Sequence, residues 1–173
     1  MRIPEDAITV LLPPSKLLLS LDRKLEQFYD EAESAYWLRF HPRKKVEGPP
    51  LHVHGGYLAT LLDEAMGASA WLNGHPVLTH KLNVEYRKPV PIGKVYSVRS
   101  VVVEKQKRRI ITKSELTDEE GQVLSRATAD FFTVDFTKLG KIPNEFKMFH
   151  IFHEMRQNGK SVGEALEELY EKK

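Results

Sequence analysis

The hydrophobic pattern of this chain changes period as it runs. From Ser15 to Ala35, Leu17, Leu18, Leu21, Leu25 and Phe28 fall at helical spacing, with Asp22, Arg23, Lys24, Glu26 and Asp30 opposite. That spacing predicts an amphipathic N-terminal helix within residues 14–35, with Pro13 and Pro14 at its leading edge and Ser15 as its cap. Tyr36 to His41 is short and rich in aromatics, which predicts a strand ended by Pro42. The basic run from Arg43, closing on Gly48-Pro49-Pro50, reads as a loop. Past Gly55 and Gly56 the chain is apolar nearly all round as far as Leu72, with only Asp63 and Glu64 charged. A helix of that kind is buried rather than laid on a surface, and Asn73-Gly74 supplies its stop.

From Pro76 to Val134 the period becomes two. In Val77 to Arg87, Leu78, His80, Leu82, Val84 and Tyr86 alternate with Thr79, Lys81, Asn83, Glu85 and Arg87, so the first set is expected on a core face and the second on a polar one. Further strands are expected over Lys94–Glu104, Arg109–Thr117 and Gln122–Val134, the last two joined by a hairpin turn at Asp118-Glu119-Glu120-Gly121. Four such strands joined by short connections predict an antiparallel meander. With the strand before the helix, about five to six strands must curl around one central helix, an α+β arrangement. Helical spacing returns after residue 140: Asn144–Asn158 carries Phe146, Phe149, Ile151, Phe152 and Met155, and Ser161 with Glu164 forms a capping box for a last helix. The expected organisation is one domain: the N-terminal helix, a core over residues 36–134, and a helical extension over 140–173.

Bulk properties narrow the classes. A chain of 173 residues buries roughly 70% of its unfolded surface, enough for a core without staples. No cysteine is present, which removes disulfides, thiol catalysis and cysteine-held metals and suits a reducing compartment. The net charge of +2, from 26 basic and 24 acidic residues, is too balanced to argue for nucleic acid. Pro13, Pro14 and Lys16 interrupt the apolar N-terminal residues, Glu5 and Asp6 sit where a signal peptide wants positive charge, and no apolar run approaches the ~20 residues of a membrane span. A cytoplasmic protein with no membrane partner is the expectation.

Candidate chemistry starts with the acid in the buried helix. A carboxylate taken out of water costs several kcal/mol unless it is paired, protonated or turned toward a cleft, so Asp63 and Glu64 need a reason to be there. Glu64 lies about 100° round the helix from Asp63 and reads as a structural partner. With that acid, His54-Gly55-Gly56, the run Leu61-Leu62-Asp63-Glu64-Ala65-Met66-Gly67, Thr79, and Val84-Glu85-Tyr86-Arg87-Lys88-Pro89-Val90-Pro91-Ile92-Gly93 together resemble the hotdog-fold acyl-CoA thioesterases of the phenylacetic-acid-degradation and 4-hydroxybenzoyl-CoA type. The resemblance covers roughly Gly48 to Val134.

It implies a helix wrapped by an antiparallel sheet, a homodimer whose sheets join edge to edge or a dimer of such dimers, an acyl-CoA substrate and no cofactor. It implies that Gly55 N–H polarises the thioester carbonyl, that Asp63 is the base or nucleophile, and that Thr79 helps hold the water. Many members carry an asparagine six residues before the histidine; this chain has Gly48 there.

The residues themselves support a divided site. Gly55 and Gly56 open a helix, where unpaired N–H groups and the positive end of the dipole make an oxyanion hole, and glycine admits a bulky thioester. Asp63 lies ~12 Å further along the axis at 1.5 Å per residue, too far to act on the same carbonyl carbon. A second, antiparallel copy of the helix would supply it. His54 is expected either to bond the thioester or to hold the loop. Gly56 and the cations Arg87, Lys88, Arg108 and Arg109 near strand ends are candidates for substrate contact, the cations for the phosphates of coenzyme A. Trp71, Tyr57 and the region of Met66 read as core or acyl-pocket lining. Two rivals stand beside this reading. One is an acyl-CoA- or lipid-binding hotdog without catalysis; the other is a metal hydrolase using His52 and His54 with His75, His80, Asp63 or Glu64.

Overall fold

The structure, a computed structural model, describes residues 2–21, 24–135 and 147–171. Its strands are β1 (Ile8–Thr9), β2 (Glu26–Asp30), β3 (Ala35–Phe40), β4 (Val77–Tyr86), β5 (Tyr96–Lys105), β6 (Arg109–Asp118) and β7 (Val123–Thr133). They form a seven-stranded antiparallel sheet in the order β1-β2-β3-β5-β6-β7-β4. The helices are α1 (Lys16–Leu21), α2 (Gly55–Leu72), α3 (Lys147–Gln157) and α4 (Val162–Glu171). The sheet wraps α2, whose Leu61, Leu62, Ala65, Met66 and Ala70 are wholly buried against Leu38, Val98, Ile110, Leu116 and Ala129 from the strands. This is the α+β arrangement expected from the apolar helix and the alternating strands, and it is the hotdog fold that the family resemblance implies.

Local signals set the ends of α2. Gly74 adopts φ +83°, its N–H donates to Trp71 O at 2.9 Å, and His75 N–H reaches Ala70 O at 2.9 Å, a paired C-terminal closure that needs a left-handed residue at 74. The turn between β6 and β7 likewise closes on Gly121 at φ +85°, with Gln122 N–H donating to the Asp118 side chain at 2.8 Å.

Three expectations are corrected. The helix expected within 14–35 shrinks to Lys16–Leu21, because Glu26–Asp30 pairs with β3 instead. Phe28 lies opposite Trp37 and Tyr29 opposite Tyr36, so cross-strand aromatic packing prevails over helical spacing there. Tyr29 is buried and its hydroxyl donates to Asn73 Oδ1 at 2.9 Å, tying β2 to the end of α2. The strands therefore number seven among the described residues rather than five to six, the additions being β1 and β2.

The meander is also incomplete. β5, β6 and β7 follow one another, but β4 pairs with β7 at the far edge rather than with β5. β3 already occupies the other side of β5, and the chain crosses the sheet inside α2 before it becomes β4. This placement leaves β4 with an open edge among the described residues.

The expected start of α3 at Asn144 and the end of α4 at Lys172 lie outside the described residues. The capping box is present: Ser161 N–H donates to Glu164 Oε2 at 2.7 Å and Glu164 N–H to Ser161 Oγ at 3.2 Å. Ser161→Ala is expected to cost about 1 kcal/mol, read as a lower urea midpoint at constant slope. An unchanged midpoint would mean that α4 unfolds separately from the sheet.

Candidate active site

The site begins where the loop before α2 is tied down. His54 N–H donates to Val46 O at 2.9 Å and Val53 N–H to Val90 O at 2.8 Å, so the chain enters α2 in a fixed direction. His54 is the N-cap, in extended backbone, and its Nδ1 accepts the Gly56 N–H at 2.9 Å. A neutral ring that accepts at Nδ1 carries its proton on Nε2. In this chain the His54 side chain is bonded to the start of α2.

The two glycines then differ in what demands them. A Cβ on Gly56 would stand 3.0 Å from His54 Nδ1, pressing on the cap. A Cβ on Gly55 would meet only the Tyr86 ring, at 3.5 Å, an ordinary contact. Packing within this chain therefore does not require glycine at 55. Among the described residues nothing accepts the Gly55 N–H, which sits at the positive end of the α2 dipole.

Two turns further on, Asp63 is half-buried and its Oδ1 accepts a hydrogen bond from Thr79 Oγ1 at 3.0 Å. Burial pushes the Asp63 carboxyl above the usual carboxylate range, partly opposed by the Thr79 hydrogen bond. Thr79 reaches Asp63 because β4 contains a bulge. Its register against β7 shifts between Thr79 and Lys81, leaving His80 as the extra residue.

Directly opposed residues share a face, so Thr79 joins Phe131 on the helix side, as do Leu82 with Ala129, Val84 with Ala127 and Tyr86 with Ser125. Leu78, expected on the core face, instead lies outside opposite Phe132. The two are 61% and 44% exposed, so the outer edge of β4 carries an uncovered apolar patch. Strict alternation places Thr79 and Tyr86 on opposite faces; the bulge puts them on one. Sequence reasoning assigned no role to Tyr86, whose hydroxyl donates to Gly55 O at 2.8 Å.

The remaining candidates separate. Glu64 accepts the Ser15 N–H at 2.6 Å and so anchors the start of α1, a structural use. Arg87 stands 3.6 Å from Glu85 on the surface, and Lys88 lines a cleft with His41, Lys94 and the acidic turn at Asp118 to Glu120. Arg108 is at the exposed tip of the β5–β6 hairpin. Arg109 is held in a two-pronged ion pair by Asp130, so its guanidinium is already committed. The Arg87–Lys88 pair and the Arg108–Arg109 pair lie at opposite ends of β4, since Arg109 is in register with Phe132 and Phe132 with Leu78.

The histidines of the metal reading are apart. His52 Nδ1 faces Pro50 O, His54 caps α2, and the His80 ring packs on Phe132 at 4.5 Å between centroids. Among the described residues no three His, Asp or Glu side chains are gathered as a metal site would need, and no helix is long and apolar enough to cross a membrane.

A profile of the thioesterase superfamily matches residues 52–125. Over that stretch, less than half of the chain, it is similar to the thioesterase superfamily, and its fold is the hotdog fold. The superfamily match contains His54, Gly55, Gly56, Asp63, Thr79 and Tyr86, and leaves out Gly48, the N-terminal strands and the α3–α4 pair. An acyl-coenzyme A thioesterase of Xenopus laevis, THEM4, is 35% identical over 105 residues, 60% of this chain and 47% of that protein. The Rattus norvegicus protein of the same name is 32% identical over 109 residues, covering 62% and 47%. The chain thus spans about half the length of the curated relatives it matches. Among solved structures, a thioesterase protein of Streptococcus pneumoniae TIGR4 with coenzyme A superposes with a TM-score of 0.62 at 20% identity, over 67% of this chain and 90% of that one. At that identity the likeness speaks for the superfamily fold alone.

Proposed function

We propose that the chain hydrolyses acyl-CoA thioesters to a free acid and coenzyme A, with Asp63 activating the attacking water and Gly55 N–H receiving the oxyanion. The observation that carries this is Asp63 itself: an acid on a buried helix, held by Thr79 at Oδ1, with Oδ2 left to take a proton from water. Water adds to the thioester carbonyl, the negative oxygen is met by Gly55 N–H and the dipole of α2, and collapse expels the coenzyme A thiolate. The relatives named as acyl-coenzyme A thioesterases and the solved thioesterase carrying coenzyme A support the substrate class.

In this proposal the two groups come from different chains, because ~12 Å of helix separates them within one. The open edge of β4, with Leu78 and Phe132 exposed beside it, favours antiparallel pairing with the β4 of a second copy. That homodimer, or a dimer of dimers built from it, also carries the Arg87–Lys88 end of one β4 toward the Arg108 end of the other, where coenzyme A phosphates would find both. Arg109 enters only by releasing Asp130.

Thiol release from short, medium, long and aromatic acyl-CoA tests the activity. Co-expression tests the shared site: a Gly55→Val chain and an Asp63→Ala chain, each inactive alone, should recover up to about half the wild-type rate per dimer in verified heterodimers, because one of the two sites regains both groups. Inactivity of the wild type on every thioester would leave an acyl-CoA-binding role, and heterodimers without recovery would end the shared-site proposal.

A further inference from the structure

The carbonyl of Gly55 has a partner that helix formation does not require. Tyr86 O–H donates to it at 2.8 Å, while the N–H of the same peptide unit, that of Gly56, donates to His54 Nδ1 at 2.9 Å. The Gly55–Gly56 peptide plane is therefore gripped at both ends by side chains. Two adjacent glycines have more backbone freedom than any other pair of residues, and here they begin a helix, where fraying is easiest. Without the grip, the plane beside the Gly55 N–H would rock, and a donor aimed at an oxyanion must be held in advance of the reaction. The Tyr86 ring adds a wall against Gly55, while half of the side chain remains exposed.

We infer that Tyr86 is a positioning residue for the Gly55 N–H, and that β4 holds α2 at its first residue, Gly55 through Tyr86, and at its middle, Asp63 through Thr79. This rests on the proposed thioesterase reading. The bulge at His80 makes it possible, since it turns Thr79 and Tyr86 to the same side of one strand. A strand that carries the open edge of the sheet thus also holds the oxyanion donor of one shared site and the base of the other. The Tyr86 hydroxyl acts through Gly55 and takes no proton in the reaction.

The test is Tyr86→Phe in the full chain, which keeps the ring and removes only the donor. Two readouts are followed, steady-state thioester hydrolysis and the amide resonances of Gly55 and Gly56. Losing one well-placed hydrogen bond is expected to lower kcat about tenfold with KM within about twofold, and to shift and broaden both glycine amides. A destabilised fold would instead lower the thermal midpoint and move amides throughout the sheet. Wild-type kcat with unmoved Gly55 and Gly56 resonances overturns the inference. If the wild type hydrolyses no thioester the proposed function falls, and the amide resonances alone then decide whether Tyr86 holds the peptide.

Discussion

Asp63→Asn is expected to lower kcat/KM for acyl-CoA hydrolysis by about three orders of magnitude, with folding and association unchanged. The substitution keeps the shape and the hydrogen bond from Thr79 Oγ1, so what it removes is the ability to accept a proton. Burial holds the Asp63 carboxyl above the ordinary carboxylate range, and this has a kinetic and a thermodynamic consequence. Kinetically, the working form in the proposed mechanism is the carboxylate, so the acid limb of the kcat/KM profile should lie above the pH at which a free aspartate titrates.

Thermodynamically, a group whose pKa is raised by folding stabilises the protein below its unfolded pKa, and that contribution is lost as pH rises through the folded value. At neutral pH the charged Asp63 therefore disfavours the fold, and the asparagine variant should melt at or above the wild-type temperature while being inactive. Loss of activity with a lowered melting temperature would point to collapse of the site rather than loss of the base. Activity within tenfold of wild type would remove Asp63 from the mechanism.

Gly48→Asn restores the residue that the family resemblance leads one to expect, yet it is expected to weaken the fold by about 1–3 kcal/mol and to add no activity. A Cβ at position 48 would lie 2.8 Å from the Cα of His54 and 3.0 Å from its Cβ and Cδ2. The near atom is backbone, so the clash cannot be relieved by turning a side chain. His54 is itself pinned, by Val46 O through its own N–H and by Gly56 N–H through Nδ1. Pushing it away disturbs the cap and with it the Gly55 donor. Because the Cβ carries the effect, Gly48→Ala should cost about as much as Gly48→Asn, and both should lower kcat. Wild-type melting and turnover in both variants would show that the loop has room, and that a water-holding asparagine could be accommodated.

The physics behind these expectations was unevenly legible in the chain. A buried acid on an all-apolar helix and a pair of glycines at that helix's start are local features, visible in residues that are near neighbours in sequence. The stop at Asn73-Gly74, the turn at Asp118 to Gly121 and the capping box at Ser161 and Glu164 are legible for the same reason, since each is satisfied by hydrogen bonds that span only a few residues.

Other features depend on pairing between distant segments. Glu26–Asp30 has spacing compatible with a helix and becomes a strand only because Trp37 and Tyr36 are there to receive Phe28 and Tyr29. The bulge at His80 is a mismatch between β4 and β7, so no periodicity within β4 alone announces it. With it went the face of Thr79 and Leu78 and the role of Tyr86.

The sequence by itself determined the central helix, the alternating strands, the superfamily resemblance and the place of Gly55 and Asp63 on that helix, because helix and strand periods and turn chemistry are written in consecutive side chains. Only the tertiary structure decided that β4 lies at the open edge, that this one strand bonds to α2 at both Gly55 and Asp63, that Arg109 is committed to Asp130, and that Gly48 leaves no room beside His54. Those outcomes follow from register, excluded volume and charge pairing between residues that meet only when the sheet has closed around the helix.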